Sequence, residues 1–162
     1  KILAMKTAEL FALSCDMGAF LSHATPLHRA ALRQFGMALG TAYQLYDDCL
    51  DVFGSESATG KKPGVDLANG EITLPILITL ERMDAGARAK FQAQIKNWDP
   101  ENFANVVELL DSYEALPESR RMIHQHLAAA RQTLQILPES DGRDGLDGLL
   151  NFLAKQSDAL GV

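Results

Sequence analysis

Several features are scarce in this sequence, and each absence excludes a class of protein. Only two cysteines occur in 162 residues, Cys15 and Cys49, and both lie in helical patterns. Two thiols do not form the disulfide framework of a small secreted domain, so a reducing, cytoplasmic setting is expected. No apolar run reaches the roughly 18 residues that a membrane-spanning helix needs, and the first residues do not follow the order of a signal peptide.

An excess of positive charge is also missing. Fifteen Lys and Arg residues face 21 Asp and Glu residues, which gives a formal net charge of -6. Such a balance disfavours a broad electrostatic surface for nucleic acid or for anionic membranes. We therefore expect no nucleic-acid partner and no stable membrane insertion. An anionic substrate would need local cations or metal ions.

What the chain does contain is the composition of a globular protein, with 47% hydrophobic and 22% charged residues. This length can bury one sizeable core, so a single domain or a piece of one is expected. The chain begins at Lys1 inside a helical pattern, with no capping residue in front of it. We therefore expect residues 1–162 to be a portion of a longer protein.

Apolar spacing and helix-breaking residues predict an all-α fold. Leu10, Leu13 and Met17 recur at helical spacing in a helix over 2–21, which is expected to bury much of its surface. Thr25 and Pro26 predict the start of a second helix that runs to about residue 52. A polar loop over 54–70 is typical of a functional or disordered segment. Further helices are predicted at 72–82, 84–97, 100–113, 117–136 and 142–157.

Three carboxylates stand near the C-terminal end of the second helix. Asp47 and Asp51 are i,i+4 neighbours and Asp48 and Asp51 are i,i+3 neighbours, so like charges crowd one sector. They also oppose the helix macrodipole, and a hard divalent cation would remove both penalties. Mg²⁺ accepts such oxygen ligands and completes its shell with water and phosphate oxygens. The alternative is a solvated acidic face.

Other motifs flank these aspartates in a fixed order. Lys6-Thr7 lies upstream, Tyr43-Gln44 directly precedes Asp47, and a Gly60-Lys61…Gly64-Val65-Asp66-Leu67…Thr73-Leu74-Pro75 pattern follows. Taken together, they resemble the second half of the trans-isoprenyl diphosphate synthase, or polyprenyl synthetase, pattern. The resemblance is strong over 1–82, whereas 83–162 agree only as a helical tail. Glu71 stands where many family members have Lys, which puts a phosphate contact there in doubt.

The resemblance implies an isoprenoid-synthase-type helical bundle around a central cavity, of which this chain is the C-terminal part. Two aspartate-rich motifs would face each other there, and the first would precede Lys1. Mg²⁺ would be ligated directly by Asp47, while Asp48 and Asp51 would hold metal-bound waters or orient neighbouring groups. The residues implied around the allylic diphosphate are Lys6, Thr7, Gln44 and Lys61. Candidate walls of the cavity are Phe11, Leu13, Met37 and Tyr43.

The implied activity is a Mg²⁺-dependent prenyl transfer in isoprenoid biosynthesis. An allylic diphosphate ionises and condenses with isopentenyl diphosphate, which gives a longer trans-polyprenyl diphosphate. The resemblance also implies a homodimer, and residues 1–162 alone are expected to be inactive. One alternative is a non-catalytic or half-site subunit that pairs with another synthase chain. A class I terpene cyclase ranks third, because its second metal motif is usually an Asn/Ser/Glu pattern.

Overall fold

The computed structural model describes residues 2–54, 60 and 63–161, with side chains from Lys6 onward. The described residues contain helices and turns and no strand, which confirms the all-α prediction. The helices are α1 (Ile2–Leu21), α2 (Pro26–Phe53), α3 (Val65–Ala68), α4 (Leu74–Arg82), α5 (Ala85–Lys96), a 3-10 turn (Pro100–Asn102), α6 (Phe103–Ser112), α7 (Ala115–Leu134) and α8 (Asp141–Asp158). No described helix is long and apolar enough to span a membrane.

The predicted helices are observed, with shifted ends. Helix α7 begins two residues before Pro117, which lies in its first turn, where a missing N–H costs no hydrogen bond. The short helix α3 was not predicted, because it lies inside the Gly- and Asn-rich stretch over 54–70. Part of that stretch, at 55–59 and 61–62, lies outside the described residues.

Local capping explains where several helices start. The hydroxyl of Thr25 accepts the N–H of His28 at 3.3 Å, at the start of α2. Asp84 accepts the N–H groups of Gly86 and Ala87 at 2.8 and 2.9 Å, at the start of α5. These bonds satisfy N–H groups that have no partner within the helix.

The described chain divides into two compact units, and the chain passes from one unit to the other within α2, within α7 and after Ala159. The first unit contains the residues up to Leu45 together with Arg121–Ala159. The second unit contains Tyr46–Arg120 with Leu160 and Gly161.

In the first unit, small residues set the contact between α1 and α2. A Cβ added at Gly36 would lie 2.5 Å from the carbonyl oxygen of Phe11, and one at Gly40 would lie 2.8 Å from the Cα of Ala8. Ala8 and Ala12 are buried at this contact. The two helix backbones therefore approach closely because Gly36 and Gly40 have no side chain and the residues opposite them include Ala8 and Ala12.

The burial predicted for the large apolar side chains of α1 is wrong for the described chain. The exposed ones are Leu10, Leu13, Met17, Phe20 and Leu21, with exposed fractions between 44% and 69%. The physical reason is that alanines, rather than leucines, occupy the face of α1 that contacts α2. An apolar stripe therefore remains on the other face.

The second unit has a core of its own around the end of α2. Cys49, Leu67, Ile76, Val106 and Leu110 are fully buried there. Burial raises the pKa of the Cys49 thiol to about 12, so it is an uncharged packing group. Both cysteines are free, as predicted.

Gly64 directly precedes α3 and packs against the ring of Phe103. Its φ is +81°, in the left-handed region, and an added Cβ would lie 2.7 Å from the ring of Phe103. Trp98 in turn meets Phe103 edge to face, with ring centroids 6.4 Å apart. Trp98 therefore packs on the same ring that restricts position 64.

Gly64→Ala is expected to lower the free energy of unfolding by about 2–4 kcal/mol, because it adds backbone strain to a steric clash with Phe103. The control is Gly70→Ala, where φ is +75° and an added Cβ meets nothing within 4 Å. That change should cost about 1 kcal/mol. Urea unfolding of both variants measures the difference, and equal losses would show that Phe103 does not restrict position 64.

Candidate functional site

In the first unit, the structure brings together three of the residues predicted to surround a diphosphate. Thr7 Oγ1 donates to Gln44 Oε1 at 2.9 Å, which joins α1 to α2. Lys6 and Thr7 line a cleft of about 610 Å³ with Glu9, Leu10, Leu13 and Arg33. The cleft therefore combines two cationic side chains with an apolar wall.

Arg33 is a member of this cleft that the sequence did not single out. It donates to Glu9 at 2.7 Å, so the cation is partly balanced by a carboxylate. The signal that could have identified it is spacing, because Arg33 precedes Gln44 by 11 residues, about three helical turns. Residues at this spacing lie on one face of a helix.

Two of the predicted wall residues contact each other in the same unit. The rings of Phe11 and Tyr43 stack with centroids 5.6 Å apart and planes at 30°. Leu13 is about half exposed at 49%, and Met37 is partly buried. Their role as walls for an apolar substrate stays a prediction.

In the second unit, Asp51 contacts three consecutive backbone N–H groups. Its carbonyl oxygen accepts from Gly64 at 2.8 Å, Oδ1 accepts from Val65 at 3.0 Å and Oδ2 accepts from Asp66 at 3.1 Å. Val65 and Asp66 are the first residues of α3, so their N–H groups have no acceptor within that helix. The C-terminal end of α2 thus supplies the cap of α3.

Asp48 performs the corresponding task for α4. Its Oδ2 accepts the N–H of Leu74, the first residue of that helix, at 3.1 Å. Thr73 occupies the N-cap position without capping, and its buried Oγ1 has no partner among the described residues. The carboxylate of Asp48 takes the place of the missing local cap.

Asp47 differs from the other two aspartates. Its side chain is exposed, and no described residue donates a hydrogen bond to it. Lys61, the fourth residue predicted at the diphosphate, lies outside the described residues.

Negative charge accumulates around these aspartates. Burial and the carboxylates of Asp51, Glu71, Asp48 and Asp47 together raise the pKa of Asp66 to about 6. Glu71 adds to this charge, where a Lys would reduce it. The described side chains do not include three or more His, Cys, Asp or Glu residues in an arrangement that could hold a metal ion by themselves.

The donor chemistry nevertheless fits Mg²⁺. All the ligands on offer are carboxylate oxygens. Burial, and after it the charges of the neighbouring carboxylates, raise the pKa of Asp66, and a cation would relieve the charge repulsion. Mg²⁺ commonly binds through one or two carboxylates and keeps several waters. A site based on Asp47 therefore needs no third protein ligand.

Comparison with known proteins agrees with the motifs. Residues 1–113 match the sequence profile of the polyprenyl synthetase family. A short chain isoprenyl diphosphate synthase of Methanothermobacter thermautotrophicus is 32% identical over 151 residues, which cover 93% of this chain and 46% of that protein. Component 2 of the heptaprenyl diphosphate synthase of Bacillus subtilis is 33% identical, over 93% of this chain and 43% of its own length.

Solved structures give the same result. A polyprenyl synthase from Caulobacter crescentus, complexed with calcium and isoprenyl diphosphate, matches with a TM-score of 0.86 and 32% identity. The match covers 94% of this chain and 47% of that one, so the chain spans about half the length of these relatives. The all-α fold is that of the isoprenoid synthases. On the profile, the sequence relatives and the fold, this chain belongs to the polyprenyl synthetase family.

Proposed function

We propose that the full-length protein is a prenyltransferase that condenses an allylic diphosphate with isopentenyl diphosphate into a longer trans-polyprenyl diphosphate. The observation that carries the proposal is the match over residues 1–113, which contains Lys6, Gln44 and Asp47 in the family's order. The Caulobacter crescentus relative, which is complexed with calcium and isoprenyl diphosphate, supports the substrate class and the use of a divalent cation.

Asp47 is the proposed ligand of Mg²⁺. Its carboxylate is exposed and accepts no hydrogen bond from the described residues, whereas Asp48 and Asp51 bind backbone N–H groups. When bound, Mg²⁺ would supply Lewis acidity to the departing diphosphate. The protein's own contribution is an exposed carboxylate near the C-terminal end of α2.

The residues of the first unit have separate proposed roles. Lys6 would place an ammonium group against phosphate oxygens and stabilise the charge of the leaving group. The hydroxyl of Thr7 binds Gln44 Oε1, so the amide of Gln44 is held in one orientation with its NH₂ group as the donor end. Lys61 is the proposed second cation. Phe11, Leu13, Met37 and Tyr43 would exclude water from the allylic cation.

The assembly and location of the protein are also proposals. A homodimer is the assembly that the family pattern favours. The name of the Bacillus subtilis relative, component 2 of a heptaprenyl diphosphate synthase, supports a second candidate in which this chain works with another subunit. We place the reaction in the cytoplasm, where both diphosphates are soluble. Size measurement of the purified full-length protein, alone and with any co-encoded synthase chain, separates the two assemblies.

Asp47→Ala in the full-length protein should lower kcat for prenyl transfer by roughly 100-fold or more, since an electrostatic contact to the leaving group is lost. The unfolding free energy should fall by less than about 0.5 kcal/mol, because no described residue donates a hydrogen bond to Asp47 and its removal relieves like-charge repulsion. The control is Asp111→Ala, which removes another exposed helical carboxylate. The assay follows labelled isopentenyl diphosphate with allylic primers of increasing length. Unchanged transfer at saturating Mg²⁺ would refute the role of Asp47.

The raised pKa of Asp66 predicts a stability change that depends on pH. Its stabilising contribution is present below the unfolded pKa of 3.8 and is lost as pH rises through about 6. Without divalent cations, Asp66→Asn should therefore unfold at a higher temperature than wild type at pH 7.5. The gain should be about 1 kcal/mol or less, because the group is partly solvated.

The gain from Asp66→Asn should shrink towards pH 4 and on addition of Mg²⁺, which relieves the same charge. Thermal unfolding at pH 4.5, 6 and 7.5 with EDTA or Mg²⁺ measures it, with Asp111→Asn as the control. A gain that is independent of pH would show that the ionised carboxylate of Asp66 is not the cause.

Residues 1–162 expressed alone should bind an allylic diphosphate weakly and catalyse no elongation. A single carboxylate motif cannot hold both substrates in the orientation that the reaction needs. The exposed apolar side chains of α1, including Leu10 and Leu13, predict self-association of this piece. Sedimentation and an elongation assay check both expectations. Multiple-turnover elongation by a homogeneous preparation would contradict the proposal that half of the site is supplied from elsewhere.

A further inference from the structure

We propose that Asp51 is a positioning residue rather than a ligand of the metal. It holds the backbone of residues 64–66, which follow Lys61 in the chain. This inference rests on the proposed function, because it concerns how the aspartate motif divides its work. Asp48 likewise accepts the first N–H group of α4. The motif then contains one metal-binding carboxylate, Asp47, and two that fix backbone.

The first argument is the number of donors that meet Asp51. The N–H groups of Gly64, Val65 and Asp66 follow one another along the chain, and each donates to a different oxygen of Asp51. Each carboxylate oxygen therefore accepts one backbone hydrogen bond, and both bonds are strengthened by the negative charge. Both oxygens of the Asp51 carboxylate thus point at backbone N–H groups.

The second argument is that these N–H groups have no other acceptor in their own helix. Helix α3 has four residues, and its N-cap is Gly64, which has no side chain to offer. If a metal ion drew Asp51 away, the N–H of Asp66 would lose its partner at a part-buried site, and the exposed N–H of Val65 would be left to water. Asp47 can bind a cation without that cost, because no described residue donates to it.

The third argument concerns position in the chain. The three hydrogen bonds join residue 51 to residues 64–66 and so fix the chain on both sides of the segment that contains Lys61. Gly64 is held a second time by the ring of Phe103. Loosening Asp51 would thus affect binding of the diphosphate through the proposed cation Lys61, while Asp47 would still bind the metal.

Asp51→Asn in the full-length protein tests this division against Asp47→Asn, which makes the same chemical change. Asparagine keeps one acceptor oxygen but places an NH₂ group against a backbone N–H. We expect Asp51→Asn to raise KM for the allylic diphosphate at least 10-fold, with the Mg²⁺ concentration for half-maximal activity within 2-fold of wild type. Asp47→Asn should instead raise that Mg²⁺ concentration at least 10-fold.

Limited trypsin digestion without ligands gives a second readout, because cleavage after Lys61 reports how firmly the following chain is held. The cleavage should be at least 5-fold faster in Asp51→Asn and unchanged in Asp47→Asn. The proposal is overturned if Asp51→Asn leaves cleavage unchanged, or if it raises the Mg²⁺ requirement as Asp47→Asn does.

Wild-type protein provides a test that does not depend on the folding of a variant. Amide hydrogen exchange of Val65 and Asp66 should be slow without metal and equally slow with Mg²⁺ alone. Fast exchange in both states, or loss of protection on adding Mg²⁺, would contradict the proposal. Absence of prenyl transfer by the wild type would refute the proposed function instead, while digestion and exchange would still decide whether Asp51 holds the backbone.

Discussion

The hydrogen bonds from Val65 and Asp66 to the carboxylate of Asp51 are the contacts on which the second unit's site depends. Carboxylates at the C-terminal end of a helix oppose its macrodipole, whereas the first N–H groups of a helix attract negative charge. Placing Asp51 against the start of α3, and Asp48 against the start of α4, offsets an unfavourable feature of one helix with the unmet donors of two others. The same contacts hold Val65 and Asp66 next to Asp51, and Leu74 next to Asp48.

This compensation is incomplete, and the remainder indicates where a cation belongs. Asp47 has no donor among the described residues, and the pKa of Asp66 is raised by burial and by the carboxylates around it. Glu71 increases the excess instead of reducing it. The structure thus leaves net negative charge around one exposed carboxylate, which is the electrostatic condition for a divalent ion that also binds phosphate.

Much of the fold could be predicted from the sequence, because the residues that start its helices act through local contacts. Thr25-Pro26 and Asp84 mark helix starts through contacts a few residues long, and α2 and α5 begin there. The family and the identity of the aspartate motif were likewise predictable, since several motifs occur in a fixed order. The short helix α3 was missed because glycine-rich sequence predicts a turn, and its cap comes from another helix.

The parts that could not be predicted are those set by contacts distant in sequence. Nothing in the order of residues tells that Asp51 meets Val65 or that Asp48 meets Leu74, 14 and 26 residues away. The burial of α1 was wrong for a related reason. Apolar spacing identifies a helix face, but it does not tell whether alanines or leucines form the contact with the next helix.

The most direct test of this account is a crystal structure of the full-length protein with Mn²⁺ and an allylic diphosphate, in which anomalous scattering locates the metal. The account predicts a manganese peak within ligand distance of Asp47, with the carboxylate of Asp51 still hydrogen-bonded to the N–H groups of Val65 and Asp66. A manganese ion ligated by Asp51, with those N–H groups released, would contradict it.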